Sequence, residues 1–347
     1  MTTTAGAPHN IPSLDGVRAV AILMVLAGHA MGQKVAAVPA VLGHFGVTLF
    51  FVLSGYLITR SMLHDERRYG KLRVGNFYFR RVLRIFPAFY VFLAVIGILS
   101  VAGALPKFPA ITWVASAAFF RNMAGGGWDT IHLWSLSLEE QFYLFWPTVF
   151  ILVRPRRLSF IGVAVFVFTA WRAIWLHNHQ DNFAISEAGG FYYRPDFRLD
   201  TFLIGAAFAI ADWQWVKRAP MLAVLAAIVL WFPFAVDIPL LRPVDTAVTA
   251  FLLAISIGWL VGNPGSAASR LLSSVPLVTI GLLSYSLYLW QELFLGPHFA
   301  WWSLPALAMV SSASYWFVER PALRLRNRAI NGLVAEPNTM ELKVGTS

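Results

Sequence analysis

Residues 14–30 read LDGVRAVAILMVLAGHA, and this stretch decides how the rest of the chain is interpreted. Arg18 and His29 are eleven residues apart (29 − 18). On an α-helix this spacing places them on one face, about 16 Å apart along the axis. The stretch is apolar enough to enter a bilayer, where ionisable groups are costly. It therefore indicates either a pathway or reaction site, or a histidine that only hydrogen-bonds a neighbouring helix.

The composition of the whole chain agrees with a membrane location. Of 347 residues, 58% are hydrophobic and only 13% are charged, and the mean hydropathy is +0.64. Ordinary soluble domains carry far more charge. The absence of cysteine excludes disulfides, thiolate metal sites and a cysteine nucleophile. We therefore predict an all-α polytopic membrane protein.

Apolar runs of spanning length recur from end to end and predict about ten transmembrane helices in one bundle. The predicted spans are 14–32, 41–60, 82–104, 132–153, 158–176, 198–212, 219–236, 244–262, 276–296 and 299–318. The predicted organisation is an N-terminal tail (1–12), a membrane domain (13–321) and a cytoplasmic C-terminal tail (322–347). No signal peptide is expected, because the N-terminus has neither a basic region nor a cleavage site.

The formal charge of +10 could indicate nucleic-acid binding, but its distribution favours a membrane topology. With ten spans, about three quarters of the basic residues fall on one side of the membrane, and this side is expected to be cytoplasmic. Both termini are then predicted to be cytoplasmic, and no nucleic-acid partner is expected.

A basic segment, residues 77–90 with the sequence FYFRRVLRIFPAFY, is the second stretch with chemical potential. Arg81 and Arg84 are three residues apart at the start of a predicted helix, so both guanidinium groups can project from one face. Guanidinium groups bind phosphate in a bidentate manner. The alternative is charge that only sets topology or attracts anionic lipid.

Two adjacent carboxylates, Glu139 and Glu140, lie inside the otherwise apolar residues 132–147, HLWSLSLEEQFYLFWP. Both are hard to keep ionised there without partners. One of them could orient His29 or stabilise its charged form. The alternative is a structural ion pair between helices.

Arg198 and Asp200 open the short predicted helix in residues 194–209, RPDFRLDTFLIGAAFA. They could bind a polar acceptor or only anchor the end of that helix. The remaining histidines are not spaced as a metal site, so no metal is expected.

Several blocks, in this order, resemble the acyltransferase-3 family of integral membrane acyltransferases. The blocks are SLDGVRAVAILMVLAGHA (13–30), FGVTLFFVLSGYLIT (45–59), FRRVLRIFPAFY (79–90), HLWSLSLEEQFYLFWP (132–147), FRLDTFLIGAAFA (197–209), SYSLYLW (284–290) and ERP (319–321). The resemblance implies a roughly ten-helix enzyme of the bacterial inner membrane that moves an acyl group, usually acetyl from acetyl-CoA, to a hydroxyl, usually on a sugar. Residues 13–321 would form the acyltransferase domain.

The resemblance also implies functional residues. In the family, the arginine and histidine of the first helix are functional, and they match Arg18 and His29. The arginine pair of the RxxR motif matches Arg81 and Arg84. The conserved SxxEEQFY block supplies the two glutamates described above.

Two departures from the family pattern are visible. Many members read LWHxP in the penultimate helix, where this chain has Trp290, Gln291, Glu292 and Leu293. Some members carry an appended extracytoplasmic domain, and this chain is expected to be of the stand-alone type.

Together these observations predict a membrane O-acyltransferase acting on a carbohydrate. Arg81 and Arg84 would hold the phosphates of acyl-CoA, and His29 would act as a general base or carry the acyl group. Three alternatives stay open. They are acylation of a small metabolite such as a macrolide, a transporter or flippase, and a non-catalytic partner in a glycan-assembly complex.

Overall fold

A computed structural model describes residues 11–31, 38–124, 127–178, 193–211, 213–237, 241–295 and 299–335. Over these ranges the chain is all-helical, which confirms the predicted fold class. The helices are α1 (Pro12–Met31), α2 (Val38–Tyr69), α3 (Val74–Val101), α4 (Ala110–Ala117), α5 (Trp128–Ile131), α6 (Leu133–Leu152), α7 (Arg157–Asn178), α8 (Leu199–Ile210), α9 (Gln214–Lys217), α10 (Met221–Asp237), α11 (Arg242–Gly262), α12 (Ala267–Leu272), α13 (Val275–Phe294), α14 (Ser303–Ser314) and α15 (Arg320–Ala335).

Helices occupy all ten positions at which the sequence predicts a span. Five of them are long and apolar enough to cross a bilayer, namely Pro12–Ala30, Leu42–Tyr69, Val74–Val101, Arg154–Asn178 and Arg242–Gly262. The others are shorter than a span or carry polar side chains along their length. These five helices make the chain a multi-pass membrane protein, whereas the count of about ten is not confirmed by length and composition.

The C-terminal helices run on past the predicted end of the membrane domain. Helix α14 continues through a π-helical turn, Tyr315–Glu319, directly into α15. Residues 322–335 of the predicted tail are therefore helical, while 336–347 lie outside the described ranges. The predicted N-terminal tail ends where α1 begins, at Pro12.

Helix α1 lies against both α2 and α13, and α2 packs in turn on α8. Glycine makes the α2–α8 crossing possible. A Cβ atom on Gly55 would lie 2.0 Å from the carbonyl oxygen of Phe202, and one on Gly205 would lie 2.1 Å from that of Val52. Small residues allow helix backbones in a membrane to approach this closely. These contacts fix α1, which carries Arg18 and His29, at the centre of the bundle.

Stacked aromatic rings fill the space between α2, α6 and α8. The ring of Phe202 stacks on Phe51 with centroids 4.4 Å apart and on Phe142 at 4.8 Å, and Phe142 stacks on Trp146 at 5.6 Å. Such pairs add to the stability gained from burial. They hold the helix with the adjacent glutamates in a fixed rotation.

An ion pair of two fully buried side chains joins α7 and α8 in the interior of the bundle. The guanidinium of Arg172, on α7, contacts the carboxylate of Asp200, on α8, and both side chains are fully buried. Arg172 also donates to the carbonyl oxygen of Pro243 at 2.9 Å, which adds α11 to the contact. Removing one partner of such a pair leaves an uncompensated buried charge.

Asp200→Ala is expected to destabilise the protein by about 3–5 kcal/mol, because Arg172 would stay buried without its counter-charge. The measurement is the folded, monodisperse yield and the thermal midpoint of the purified protein in detergent. The double variant Arg172→Met with Asp200→Leu should recover much of the loss.

The matched control is Asp196→Ala, which removes a part-exposed pair with Arg194 (N···O 2.7 Å) and is expected to cost at most about 1 kcal/mol. A folded Asp200→Ala protein of wild-type stability would contradict a structural role for this pair.

Candidate functional site

His29, in the last turn of α1, faces the interior of the bundle. Its Nδ1 lies 2.9 Å from the carbonyl oxygen of Val25, and since a carbonyl can only accept, Nδ1 carries the hydrogen. Its Nε2 lies 3.7 Å from Oε1 of Glu292 on α13. The His29 side chain is 25% exposed, so a substrate can still reach it. In the neutral ring, Nε2 is therefore the nitrogen with a free lone pair.

Glu292 links His29 to a second imidazole, that of His132. Oε2 of Glu292 lies 2.7 Å from Nδ1 of His132 and accepts from the backbone N–H of the same residue at 3.2 Å. The other ring nitrogen, Nε2, lies 3.0 Å from the carbonyl oxygen of Leu289 and must donate to it. One proton is thus shared between Glu292 and His132, either as an imidazolium beside a carboxylate or as a neutral acid beside a neutral ring.

Aromatic and polar side chains surround this group of three. The indole of Trp128 meets the His29 ring edge to face, with centroids 5.8 Å apart, and its Nε1 donates to the carbonyl oxygen of Glu292 at 3.2 Å. Tyr288, one turn before Glu292, donates to the carbonyl oxygen of His132 at 2.8 Å. These contacts hold both the carboxylate and the imidazoles in place.

Three more ionisable groups lie within electrostatic range of Glu292: Arg121, Asp129 and Tyr193. Burial and the negative charge of Glu292 raise the pKa of Asp129. Arg121 is fully buried and donates through Nε to Thr130 at 3.3 Å, while its Nη2 has no hydrogen-bond partner in the described part of the chain. The surroundings of His29 are therefore rich in polar groups on the side of α5 and α6.

The predicted arginines meet in a cavity at the other end of α1. Arg18, Arg81, Arg84 and Glu139 all line it, together with Tyr143. The guanidinium of Arg81 lies over the Tyr143 ring, 4.8 Å from its centroid. Burial and the charges of Arg84, Arg81 and Arg80 lower the pKa of Arg326 on α15 to about 10. Arg326 therefore adds a further positive charge near the three arginines that line the cavity, and positive charges held this close together favour an anion.

The walls of this cavity, which we call the arginine cavity, are apolar. They are lined by Val47, Phe50, Phe51, Leu53, Leu57, Ile85 and Leu136. Ser135 and Tyr288 also line the cavity, and the hydroxyl of Tyr288 donates to the carbonyl oxygen of His132. A continuous set of contacts thus leads from the arginines to the group around His29. Such a cavity fits a ligand with an anionic end and a slender apolar arm.

Of the two adjacent glutamates, Glu139 lines the arginine cavity, and Glu140 lies within electrostatic range of Arg81. Glu139 accepts a hydrogen bond from Ser54 at 2.8 Å, and Glu140 has one carboxylate oxygen with no partner among the residues described. The carboxylate beside His29 is instead Glu292. The contact with the imidazole that we expected from Glu139 or Glu140 is thus made by another helix, while charge balance for the arginines remains open to them.

Glu292 and His132 are the site residues that sequence reasoning missed. His132 opens the block HLWSLSLEEQFY, and Glu292 lies in the penultimate helix, where the family pattern is broken. The signal that could have identified Glu292 is a carboxylate in an apolar helix, directly after Gln291, which stands where the family pattern has a histidine. Nothing in sequence spacing pairs His132 with α13, because the two are 160 residues apart.

The last predicted pair, Arg198 and Asp200, is divided between two environments. The guanidinium of Arg198 lies against the imidazole of His44, with nitrogen–nitrogen distances of 3.3 and 3.4 Å. Asp200 faces away into its buried pair with Arg172. Acceptor binding by either residue therefore stays a prediction, and Asp200 has a structural partner that accounts for it.

The described residues contain no cluster of three or more histidine, aspartate or glutamate side chains suited to a metal ion. The chemistry that the site can perform with its own groups is proton transfer at His29 and anion binding by arginine. An imidazole with one free nitrogen beside a carboxylate can accept a proton from a hydroxyl group.

Comparison with known proteins agrees with the sequence resemblance. The acyltransferase-3 family, described as an acyltransferase domain, matches residues 11–318. Peptidoglycan O-acetyltransferase OatA of Listeria monocytogenes is 30% identical over 83% of this chain and 50% of its own length. O-acetyltransferase OatA of Staphylococcus aureus (strain NCTC 8325) is 28% identical over 90% of this chain and 57% of its own length.

The chain spans about half the length of these curated relatives. No solved structure matches it. The family match nevertheless runs from the start of α1 to the π-helical turn after α14. It includes every helix that lines the arginine cavity or contacts His29. On this extent of similarity, the chain belongs to the acyltransferase-3 family of membrane proteins.

Proposed function

We propose that this protein is a membrane O-acetyltransferase that moves an acetyl group from acyl-CoA to a hydroxyl of a carbohydrate. The acceptor would be a cell-surface or exported polysaccharide, or its lipid-linked precursor. The observation that carries the proposal is the geometry of His29, whose Nδ1 is held by Val25 while Nε2 faces a carboxylate. Both relatives are named as O-acetyltransferases, which supports the acetyl group, and the Listeria relative is named for peptidoglycan, which supports a carbohydrate acceptor.

The donor would bind in the arginine cavity. Arg81 and Arg84 present guanidinium groups, which form bidentate, charge-assisted bonds to phosphate. The acyl arm would extend between the apolar walls toward Tyr288, which lies at the far end. Glu139 and Glu140 would balance part of the positive charge when no donor is bound. Arg18 lines the same cavity and would contact the donor from α1.

The transfer would take place at His29. As the acceptor oxygen attacks the thioester carbonyl carbon, Nε2 takes the hydroxyl proton. The carbon–sulfur bond then breaks, and the proton passes from the imidazolium to the departing CoA sulfur. The carboxylate of Glu292, 3.7 Å from Nε2, stabilises the imidazolium that forms. An acyl group carried on Nε2 is compatible with the same contacts, and mass spectrometry of a quenched single turnover separates the two routes.

The orientation follows the distribution of charge. The basic residues before and within α3 would face the cytoplasm, where acyl-CoA is made, and both termini would lie on that side of the bacterial inner membrane. His29, on the opposite end of α1, would then lie near the outer half, where an exported glycan is presented.

The direct test is acetyl transfer by the full-length purified protein in lipid nanodiscs, with labelled acetyl-CoA and soluble glycan acceptors. Mass spectrometry of cell glycans from a deletion strain identifies the natural acceptor. Transfer of label to a small metabolite in place of any glycan would replace the acceptor class. Movement of glycan across the bilayer without acetyl transfer would replace the enzyme with a transporter.

His29→Ala is expected to reduce acetyl transfer by at least about 100-fold, because the other imidazole found beside Glu292 in the described part of the chain, that of His132, has both ring nitrogens in hydrogen bonds. The rate of labelled product formation in nanodiscs measures it. The thermal midpoint should stay close to wild type, since His29 is part-exposed and its hydrogen bond is to its own helix. Retained transfer in a folded variant would remove His29 from the mechanism.

Glu292→Gln is expected to lower kcat by about 10²- to 10⁴-fold with little change in KM for the donor. The amide keeps the shape of the side chain but cannot stabilise an imidazolium at Nε2. Glu292→Asp should retain more activity than Glu292→Gln, because it keeps the charge. Equal loss in both variants, together with a lower thermal midpoint, would assign Glu292 a packing role instead.

Arg84→Ala is expected to weaken binding of acetyl-CoA by about 10- to 100-fold, the effect of losing one charge-assisted contact to phosphate. Equilibrium binding of labelled acetyl-CoA to the nanodisc-embedded protein measures it. The matched control is Lys71→Ala, which removes an exposed positive charge between α2 and α3. This variant should bind the donor normally. Unchanged affinity in Arg84→Ala would exclude the arginine cavity as the donor site.

A further inference from the structure

A second cavity, of about 490 Å³, opens between the end of α2 and the start of α1. Its polar lining includes Asp15, Arg18, Arg60, Ser61, His64 and Arg67, together with the hydroxyl of Tyr56. We call it the outer basic cavity, because it lies at the end of α1 that is farther from His29; the name does not refer to the outer side of the membrane. Its volume lies in the range typical of small-molecule sites and exceeds what a single ion requires. Among these polar residues, only Arg18 has a role in the site described above.

The lining residues of α2 form one continuous stripe. Leu57, Arg60, Ser61, His64 and Arg67 occupy positions i, i+3, i+4, i+7 and i+10, which share one helix face. Arg68 belongs to a different face and does not line the cavity, although Arg67 and Arg68 are both exposed. The basic residues at the end of α2 are therefore divided into those that line the cavity and those that lie outside it.

The acidic residues of the same segment are occupied elsewhere. Asp65 pairs with Arg80 at 2.8 Å. Glu66 pairs with Arg154 at 2.7 Å and with Arg157 at 2.8 Å. These pairs point the carboxylates toward α3 and α7 and away from the cavity.

The cavity itself keeps an excess of positive charge. Asp15 is matched by Arg18, 2.9 Å away. Arg60 donates to the hydroxyl of Tyr56 at 3.1 Å, and within the described ranges no carboxylate lies at ion-pair distance from Arg60 or Arg67. Two guanidinium groups beside a cavity, with their possible partners paired elsewhere, select an anionic ligand with several acceptor oxygens.

The outer basic cavity adjoins the arginine cavity, since Arg18 and Leu57 line both. The two cavities therefore place two separate positive regions next to each other, the inner one nearer the reacting group. An acyl-CoA has the same arrangement of charge. Its pyrophosphate lies between the acyl arm and the nucleotide, and its phosphomonoester lies on the ribose, beyond the pyrophosphate.

We propose that the outer basic cavity binds the ribose phosphomonoester of the donor, through Arg60 and Arg67, while Arg81 and Arg84 hold the pyrophosphate. The inference rests on the proposed function, because it takes acyl-CoA as the donor. It assigns the cavity the task of distinguishing a 3′-phosphorylated nucleotide from one without that phosphate. A headgroup of an anionic lipid shares the same phosphate chemistry and is separated from it by the test.

The experiment is a double cycle of protein and ligand, carried out on the full chain in nanodiscs of phosphatidylcholine alone. Wild type, Arg67→Ala and Arg68→Ala are each titrated with acetyl-CoA and with 3′-dephospho-acetyl-CoA. Wild type should bind the dephosphorylated donor about 10- to 100-fold more weakly. Arg67→Ala should lose a similar factor with acetyl-CoA and nothing further with the dephosphorylated donor.

The control Arg68→Ala should behave as wild type with both ligands, because its charge is equally exposed but lies outside the cavity. Equal weakening of both ligands by Arg67→Ala, or equal effects of Arg67→Ala and Arg68→Ala, would overturn the assignment. A wild-type protein that binds both donors equally would do the same. The thermal midpoint of each variant shows that the comparison is made between folded proteins.

A second arm repeats the titrations in nanodiscs that contain phosphatidylglycerol. If the outer basic cavity holds a lipid headgroup, the effect of Arg67→Ala appears only with this lipid and is independent of the 3′-phosphate, which overturns the proposal. Absence of any acetyl-CoA binding to wild type overturns the proposed function as well. Binding and transfer without discrimination of the 3′-phosphate overturn this inference alone.

Discussion

The buried carboxylate of Glu292 is the group on which the organisation of the site depends. It lies between two imidazoles, 2.7 Å from His132 and 3.7 Å from His29, and it joins α1, α13 and the segment that opens α6. A carboxylate is expensive to bury in an apolar bundle unless its charge is balanced. The same contacts that satisfy it also orient His29, so stability and chemistry are met by one arrangement.

Not every buried charge in this protein contributes both to stability and to the chemistry of the site. Arg172 and Asp200 neutralise each other among α7, α8 and α11, and neither lines the two cavities described above. Arg81 and Arg84 differ, because they line open space and their positive charge is only partly balanced by Glu139. A neutralised pair in the interior indicates a structural role, whereas unbalanced charge beside a cavity indicates a ligand.

The two cavities and His29 lie one after another along the axis of α1. Positive charge is concentrated at one end of α1, apolar walls follow, and an imidazole that can accept a proton lies at the other end. An acyl donor with an anionic head and a thioester at the far end matches this order of chemistry. The helix that first appeared as a single ionisable stripe thus serves as the axis along which donor and acceptor would meet.

The sequence alone determined the helical fold, the positions of helices at the predicted spans and the family, and it singled out Arg18, His29, Arg81 and Arg84 as candidate site residues. These follow from local apolar runs, from spacing within one helix and from ordered motifs, all of which are written along the chain. Only the tertiary structure decided which carboxylate reaches His29, which partner occupies Asp200, and which basic residues of α2 face a cavity. Those outcomes depend on how α1, α2, α8 and α13 are rotated against one another, and that rotation is set by close backbone crossings and aromatic packing between residues far apart in sequence.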